Sequence, residues 1–133
     1  MGITAVILLD THALVWVVAD PKQLSRAAST AIQEALRKDG LAISAITLWE
    51  LASLISRGSI QAYGTVDASV KLLIEGVTVK PITPEIAALA TQFGEYFSRD
   101  PADRLIGATA RSEGLPLVTR DKNMRTPLLI TIW

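Results

Sequence analysis

From Thr4 to Leu9 the chain runs through β-favouring and apolar residues without alternation, the pattern of a strand covered on both faces, as in a parallel sheet. The run stops at Asp10. Leu14, Val17 and Val18 follow at helical spacing, and the Asp20-Pro21 step ends that helix, because the residue before proline is pushed out of the helical region. An amphipathic helix is predicted from a Ser25 N-cap, with Ala28, Ile32, Ala35 and Leu36 on one stripe and basic residues before a stop at Gly40. Leu41 to Ile43 reads as a short strand, followed by a helix from Ser44 to Arg57 that Gly58 ends. After a loop over 59–66, Asp67 is expected to cap a helix through Val70, Leu73 and Ile74 to Gly76, and Val77 to Lys80 forms a third strand. Thr83-Pro84-Glu85 supplies an N-cap, a proline at the first helical position and an acid in the first turn of a helix running to Phe97. Asp100-Pro101 opens another, ending at Gly114, and the strands Leu117 to Thr119 and Leu129 to Ile132 complete the pattern.

Five short strands interleaved with helices predict an α/β fold: one domain over residues 1–133, with a central, mainly parallel five-stranded sheet and helices on both faces. A chain of 133 residues buries roughly two-thirds of its unfolded surface, enough to fold without a disulfide or structural zinc. With no Cys, neither is available. The apolar runs Ala5 to Leu9 and Ala13 to Ala19 fall far short of the roughly 20 residues of a membrane span, and no cationic signal peptide is recognisable. A soluble, cytoplasmic protein with no membrane partner is expected. The mean hydropathy of +0.36 is high for a small monomer and points to surface covered by a partner. Thirteen Lys and Arg balance thirteen Asp and Glu, which at face value speaks against a phosphate-bearing partner.

The chemistry lies at the ends of the strands, where open α/β sheets gather their ligands. Asp10 ends the first strand and Asp121 follows the fourth. If those strands are neighbours, the two carboxylates converge at a switch point of the sheet; otherwise each is a turn or cap acid. Glu50 sits on a helix with Leu48, Leu51, Ala52 and Ile55 on one stripe and Ile46 and Leu54 on the opposite face, so its carboxylate is partly desolvated and needs compensation. Thr47-x-x-Glu50 also fits a capping box, although Ser44 is an equally good cap one turn earlier. In Asp100-Pro101-Ala102-Asp103, Asp100 reads as the N-cap, while Asp103 shares a face with Ile106, Gly107 and Ala110. A mid-helix glycine costs about 1 kcal/mol against alanine, so Gly107 predicts close packing of this helix against the sheet. Three or four acids at one edge repel one another unless a cation intervenes. Carboxylates and water suit Mg²⁺ or Mn²⁺, and attack of metal-activated water on a phosphodiester is the chemistry such a site performs best.

Four segments in order, Leu8-Leu9-Asp10-Thr11-His12-Ala13-Leu14, Thr47-Leu48-Trp49-Glu50-Leu51, Asp100 to Ala110 and Leu117-Val118-Thr119-Arg120-Asp121, make the chain resemble the PIN-domain family, specifically the VapC-like ribonuclease toxins of bacterial toxin–antitoxin pairs. The resemblance covers essentially the whole length. It implies a three-layer α/β/α sandwich and a quartet of acids, Asp10, Glu50, Asp103 and Asp121, binding Mg²⁺ or Mn²⁺ for endoribonuclease activity on an RNA substrate. It also implies a homodimer and a cognate antitoxin covering the cleft. The family pattern asks for one acid where this sequence offers Asp100 and Asp103; Asp103 is the one chosen, with Asp100 as cap or support. Thr11, His12, Arg104, Thr119 and Arg120 stand around the quartet as candidates to support the acids or touch RNA, and Lys122 and Arg125 flank it. Trp16 and Trp133 read as core or hydrophobic surface; Trp49, beside Glu50, suits antitoxin or dimer packing.

Two other readings are weighed: a PIN-like module that binds RNA or protein without metal, disfavoured by the complete quartet, and a phosphoacceptor receiver domain. The latter needs an acidic neighbour for Asp10 that the sequence lacks. With four of the 13 acids committed to a cation, nine face 13 basic groups. The balanced charge is then compatible with RNA, and metal-free protein is expected to bind RNA poorly.

Overall fold

The computed structural model describes residues 6–133. Five strands, β1 (Ile7–Leu9), β2 (Leu41–Ser44), β3 (Thr78–Lys80), β4 (Leu117–Val118) and β5 (Thr131–Ile132), form one sheet in the order β3-β2-β1-β4-β5, every pair parallel. Six helices connect them: α1 (Thr11–Ala19), α2 (Arg26–Arg37), α3 (Ala45–Ser56), α4 (Val66–Leu73), α5 (Pro84–Ala90) and α6 (Pro101–Glu113). The Thr4 and Ala5 end of the predicted first strand lies outside the described residues. Among those residues no helix is long and apolar enough to cross a membrane.

Successive strand residues point to opposite faces, so an unbroken apolar run feeds two cores at once. Ile7, Leu9, Leu41 and Ile43 face one layer, where Leu14, Ala28, Ile32 and Leu51 from α1, α2 and α3 meet them. Leu8, Ala42 and Leu117 face the other, against Ile86 and Ala90 of α5, Ile106 and Ala110 of α6, and Phe93 and Phe97 between those helices. This is the expected sandwich of helices about a parallel sheet. Strand order reverses between β1, whose chain continues to β2 on one side, and β4 on the other. Leu8 pairs with both Ala42 and Leu117, which makes β1 the centre and its carboxyl end the switch point.

Several local expectations are corrected. The helix from Pro84 stops at Ala90 rather than Phe97. Phe93 and Phe97 keep a helical spacing of four, but their rings stack on each other, centroids 4.1 Å apart, in a loop folded under α6. Gly107 explains this packing: a Cβ there would stand 2.8 Å from Phe97 Cζ and 3.2 Å from Phe93 Cζ. Its close approach is thus to the aromatic pair, where the sheet was expected. Thr65, not Asp67, caps α4, accepting from the Ala68 amide at 3.1 Å, because the buried Ser69 hydroxyl binds Tyr63 and Thr65 backbone and starts the helix two residues earlier. Asp67 pairs with Lys71 on the surface instead. Leu36 is 58% exposed: successive helix residues turn by about 100°, and Ala28, Ile32 and Ala35 already complete the buried stripe. The last strand is Thr131–Ile132, shorter than Leu129 to Ile132. The end of α6 matches its pattern, with Gly114 in the left-handed region at φ +66°, where a side chain would be strained.

Candidate active site

β1 ends because Asp10 leaves the sheet to cap α1: its amide donates to Val118 O across the β1–β4 pair at 3.1 Å, and Oδ1 accepts from the Ala13 amide at 2.8 Å. The side chain is only 8% exposed. On the adjacent strand the buried Thr119 hydroxyl accepts from the Asp121 amide at 3.1 Å. Asp121 Oδ1 then accepts from the Asn123 amide at 2.8 Å and opens a 3-10 turn over Lys122–Met124. The cap role considered for these acids is therefore real, and it occupies one oxygen of each while orienting the carboxyl group.

Glu50 arrives from α3. Ser44 caps that helix, accepting from the Ile46 amide at 3.4 Å, and the Thr47-x-x-Glu50 capping box does not form. Glu50 Oε1 instead accepts from the Thr11 hydroxyl at 2.5 Å, and Thr11 Oγ1 lies 3.1 Å from Thr47 Oγ1. Two buried threonines from α1 and α3 thus aim the carboxylate from behind. Asp100 caps α6 through the Ala102 amide at 2.9 Å, and Asp103, one turn in, accepts from the Ser98 hydroxyl at 2.6 Å. The Ser98 amide in turn donates to Asn123 O at 2.9 Å, which ties the loop before α6 to the turn after β4.

Asp10, Thr11, His12, Glu50, Asp100, Asp103, Asp121 and Met124 line one cavity of about 150 Å³. The structure brings together all four quartet acids and Asp100. Three of them are held away from their ordinary ionisation. Burial pushes Asp10 up, the Thr119 hydroxyl, the Ala13 amide and His12 oppose it, and Asp121 adds to it. Burial also raises Glu50, countered by the Thr11 hydroxyl and reinforced by Asp100 and Asp10. Asp103 rises to about 6, through burial first and then repulsion from Asp100, Asp121 and Glu50, with the Ser98 hydroxyl opposing. Among the described residues no Lys or Arg pairs with any of these acids; the ion pairs are Lys71–Asp67 and Lys80–Glu113.

Other candidates fall elsewhere. Arg104 turns away, donating to Phe93 O at 2.8 Å and Gly94 O at 3.2 Å, so it holds the loop that carries Ser98. His12 is exposed at the rim, its ring 5.8 Å from Trp16, and the Arg120 guanidinium lies 5.9 Å from the Trp16 ring centre. Lys122 and Arg125 are exposed beside the turn, and Trp49 is 65% exposed on α3. Ser98 was missed in the sequence, although a hydroxyl two residues before a capping Asp is a recognisable local signal. A separate, mainly apolar groove of about 450 Å³ lies between α1 and α4, lined by Val15, Val18, Ala19, Ile60, Leu72 and Leu73 among others.

The donor set fits a hard divalent cation. Several carboxylates crowd one cavity without a Lys or Arg paired to them among the described residues, and a cation relieves both their repulsion and their desolvation. Among the described residues no three His, Asp or Glu are placed to close on one ion.

The PIN domain family matches residues 7–127 of the chain. Ribonuclease VapC22 of Mycobacterium tuberculosis is 43% identical over 130 residues, which are 96% of this chain and 98% of that protein. Among solved structures, VapBC2 from Rickettsia felis bound to a fragment of promoter DNA aligns with a TM-score of 0.67 at 20% identity, over 95% of this chain and 96% of that one. DNA-bound VapBC from Salmonella typhimurium aligns at 0.65 and 22% identity, over 94% and 95%. At those identities the two complexes speak for the fold. The family match and the VapC22 relationship, each spanning nearly the whole chain, establish that this protein belongs to the PIN-domain family, beside the VapC ribonucleases.

Proposed function

We propose that the protein is a divalent-metal-dependent endoribonuclease and the toxin of a toxin–antitoxin pair. The observation that carries the reading is the convergence of Asp10, Glu50, Asp103 and Asp121 on one small cavity at the switch point of the sheet, in a chain 43% identical to a ribonuclease over nearly its full length. These four acids would hold Mg²⁺ or Mn²⁺. When bound, the metal supplies a nucleophilic water at neutral pH and charge stabilisation on the phosphate.

The chain's own residues do the rest. Asp10 and Asp121 have their carboxyl groups oriented by the Ala13 and Asn123 amides, and Glu50 and Asp103 by the Thr11 and Ser98 hydroxyls. All four carboxyl groups border the same cavity. Burial and the neighbouring acids raise Asp103 to about 6, and Asp10 and Glu50 are pushed in the same direction. Asp100 borders the same cavity as a helix cap and contributes negative charge. Exposed Arg120, Lys122 and Arg125 meet the phosphates on either side of the reacting one. The apolar groove between α1 and α4, bordered by exposed Val18, Tyr63 and Leu72, suits an antitoxin, in keeping with fold relatives described as toxin–antitoxin complexes. Exposed Trp49 supports self-association as a homodimer. The protein acts in the cytoplasm, where RNA is found.

RNA cleavage measured with Mn²⁺, with EDTA added, and with Asp10→Asn tests the proposal. Cleavage is expected from wild type with Mn²⁺ only. Equal, chelator-insensitive cleavage by wild type and Asp10→Asn contradicts it.

A further inference from the structure

Trp16 lies one turn beyond His12 on α1, half-buried, with three groups about its ring. His12 stands at 5.8 Å and a 46° tilt, Trp133 at 5.7 Å and 53°, and the Arg120 guanidinium carbon 5.9 Å from the ring centre. The cluster is assembled from the start of α1, the segment after β4 and the last residue of the chain. Core packing does not account for it, because His12 and Arg120 are both exposed and ordering a long arginine over a ring costs side-chain entropy. With Asp10 and Asp121, the residues His12, Trp16 and Arg120 line a shallow recess of about 230 Å³. Asp10, His12 and Asp121 also border the acid cavity, so the two spaces share a wall.

We propose that this recess binds an unpaired nucleobase of the RNA, the one next to the phosphate held at the acids. The inference rests on the ribonuclease reading above and deepens it by naming the form of RNA. Every base has a flat π-face that stacks on an aromatic ring regardless of sequence. A guanidinium beside the same ring adds a cationic contact and reaches a backbone phosphate. Arg120 and His12 bring positive charge to this side of the acid cavity, as Arg57 does on the α3 side, but it is Arg120 that lies beside an aromatic ring, that of Trp16. A protein partner would need a contact face of roughly 800 Å², whereas this recess encloses only about 230 Å³, the scale of a small flat group. A duplex keeps its bases stacked inside and presents no free face, so the recess selects single strands, loops or bulges.

The test uses the full chain with Mg²⁺ and single-stranded RNAs carrying 2-aminopurine at successive positions around the cleavage site. On rapid mixing, one position is expected to lose fluorescence with wild type and with Trp16→Phe, which retains an aromatic face, but not with Trp16→Leu. In Trp16→Leu the KM for single-stranded RNA is expected to rise about tenfold with kcat unchanged, in line with the usual worth of one stacked base. Arg120→Gln, at an exposed position that leaves the core intact, is expected to raise KM severalfold, and thermal melting confirms that each variant is folded. Equal KM for Trp16→Leu and Trp16→Phe, quenching at no position, or a loss confined to kcat overturns the proposal. So does a Trp16→Leu variant that loses only its antitoxin, because the recess is then a protein-docking surface. Cleavage by wild type with an unmoved KM in Trp16→Leu counts against the recess alone; no metal-dependent cleavage by wild type overturns the ribonuclease reading with it.

Discussion

The two ends of α1 border cavities of opposite character. Its first turn brings Thr11 and His12 to the acid cavity beside Asp10, where several carboxylates crowd one another and Thr11 holds Glu50. Its last turn, with Val15, Val18 and Ala19, sits on the groove against α4, where side chains are apolar and Val18 and its neighbour Leu72 are more than half exposed. In each place the isolated fold gives up stability, through repulsion and desolvation at one end and unburied apolar surface at the other. On the proposed reading a cation would complete the acid end and an antitoxin the apolar end. A single nine-residue helix mechanically joins them, so a partner at the groove lies within one helix length of the catalytic acids.

The comparison breaks most visibly at Asp10. Asp10→Asn keeps the Ala13 cap, because the amide oxygen still accepts, yet removes a charge from the cation site; RNA cleavage in Mn²⁺ is expected to fall by at least about a thousandfold while the fold survives. Circular dichroism beside the cleavage assay reads both halves. At the other end, Leu72→Asp places a charge in the groove and is expected to weaken antitoxin binding by about ten- to a hundredfold, as a well-buried contact residue does, with RNA cleavage by the free protein unchanged. A variant at either end that moved both readouts equally would dissolve the distinction.

Smaller effects sharpen the acid end. Because Asp103 is raised to about 6, a proton competes with the metal below that pH. Apparent Mn²⁺ affinity is expected to be flat above about pH 7 and to fall roughly tenfold per pH unit below 6, with the break shifted or lost in Asp103→Asn; titrations at several pH values check this. The same shift has a stability consequence of defined sign. A carboxyl whose folded pKa lies above its unfolded value destabilises the fold progressively as pH rises from about 4 to 6, and fully above that. Asp103→Asn should therefore stabilise metal-free protein at pH 7.5 by about 1 kcal/mol, discounted for partial exposure of the group, and leave it unchanged at pH 4. Denaturant unfolding at both pH values measures it.

The sheet and most helix ends were legible in the sequence because they rest on local rules: unbroken apolar strands, Ser25, Thr83 and Asp100 as caps, Gly114 as a stop. The partnership of β1 with β4 could be posed but not answered, since it depends on a crossover of the whole sheet. Phe93 and Phe97 misled because spacing of four is helical in a helix and coincidental in a loop whose aromatic pair fills the space above Gly107. The acids stood out as residue types at strand and helix ends. Of their supports, Thr11 and Thr119 stood out through the family resemblance and Ser98 did not; the bonds themselves stayed hidden, since Thr11 finds Glu50 39 positions away and Thr47 36 away, separations that no local pattern encodes. Arg104 read as a cation near the acids, and it spans back ten and eleven residues to carbonyls instead.

The central claim is that these carboxylates form one cation site. Titration calorimetry of the metal-free protein with Mn²⁺, run on wild type, Glu50→Gln and Asp121→Asn at pH 7.5, tests it most directly. The expected result is saturable binding to wild type, weakened at least about tenfold in both variants although their side chains come from α3 and the turn after β4. No binding to wild type, or equal binding to all three proteins, would contradict it.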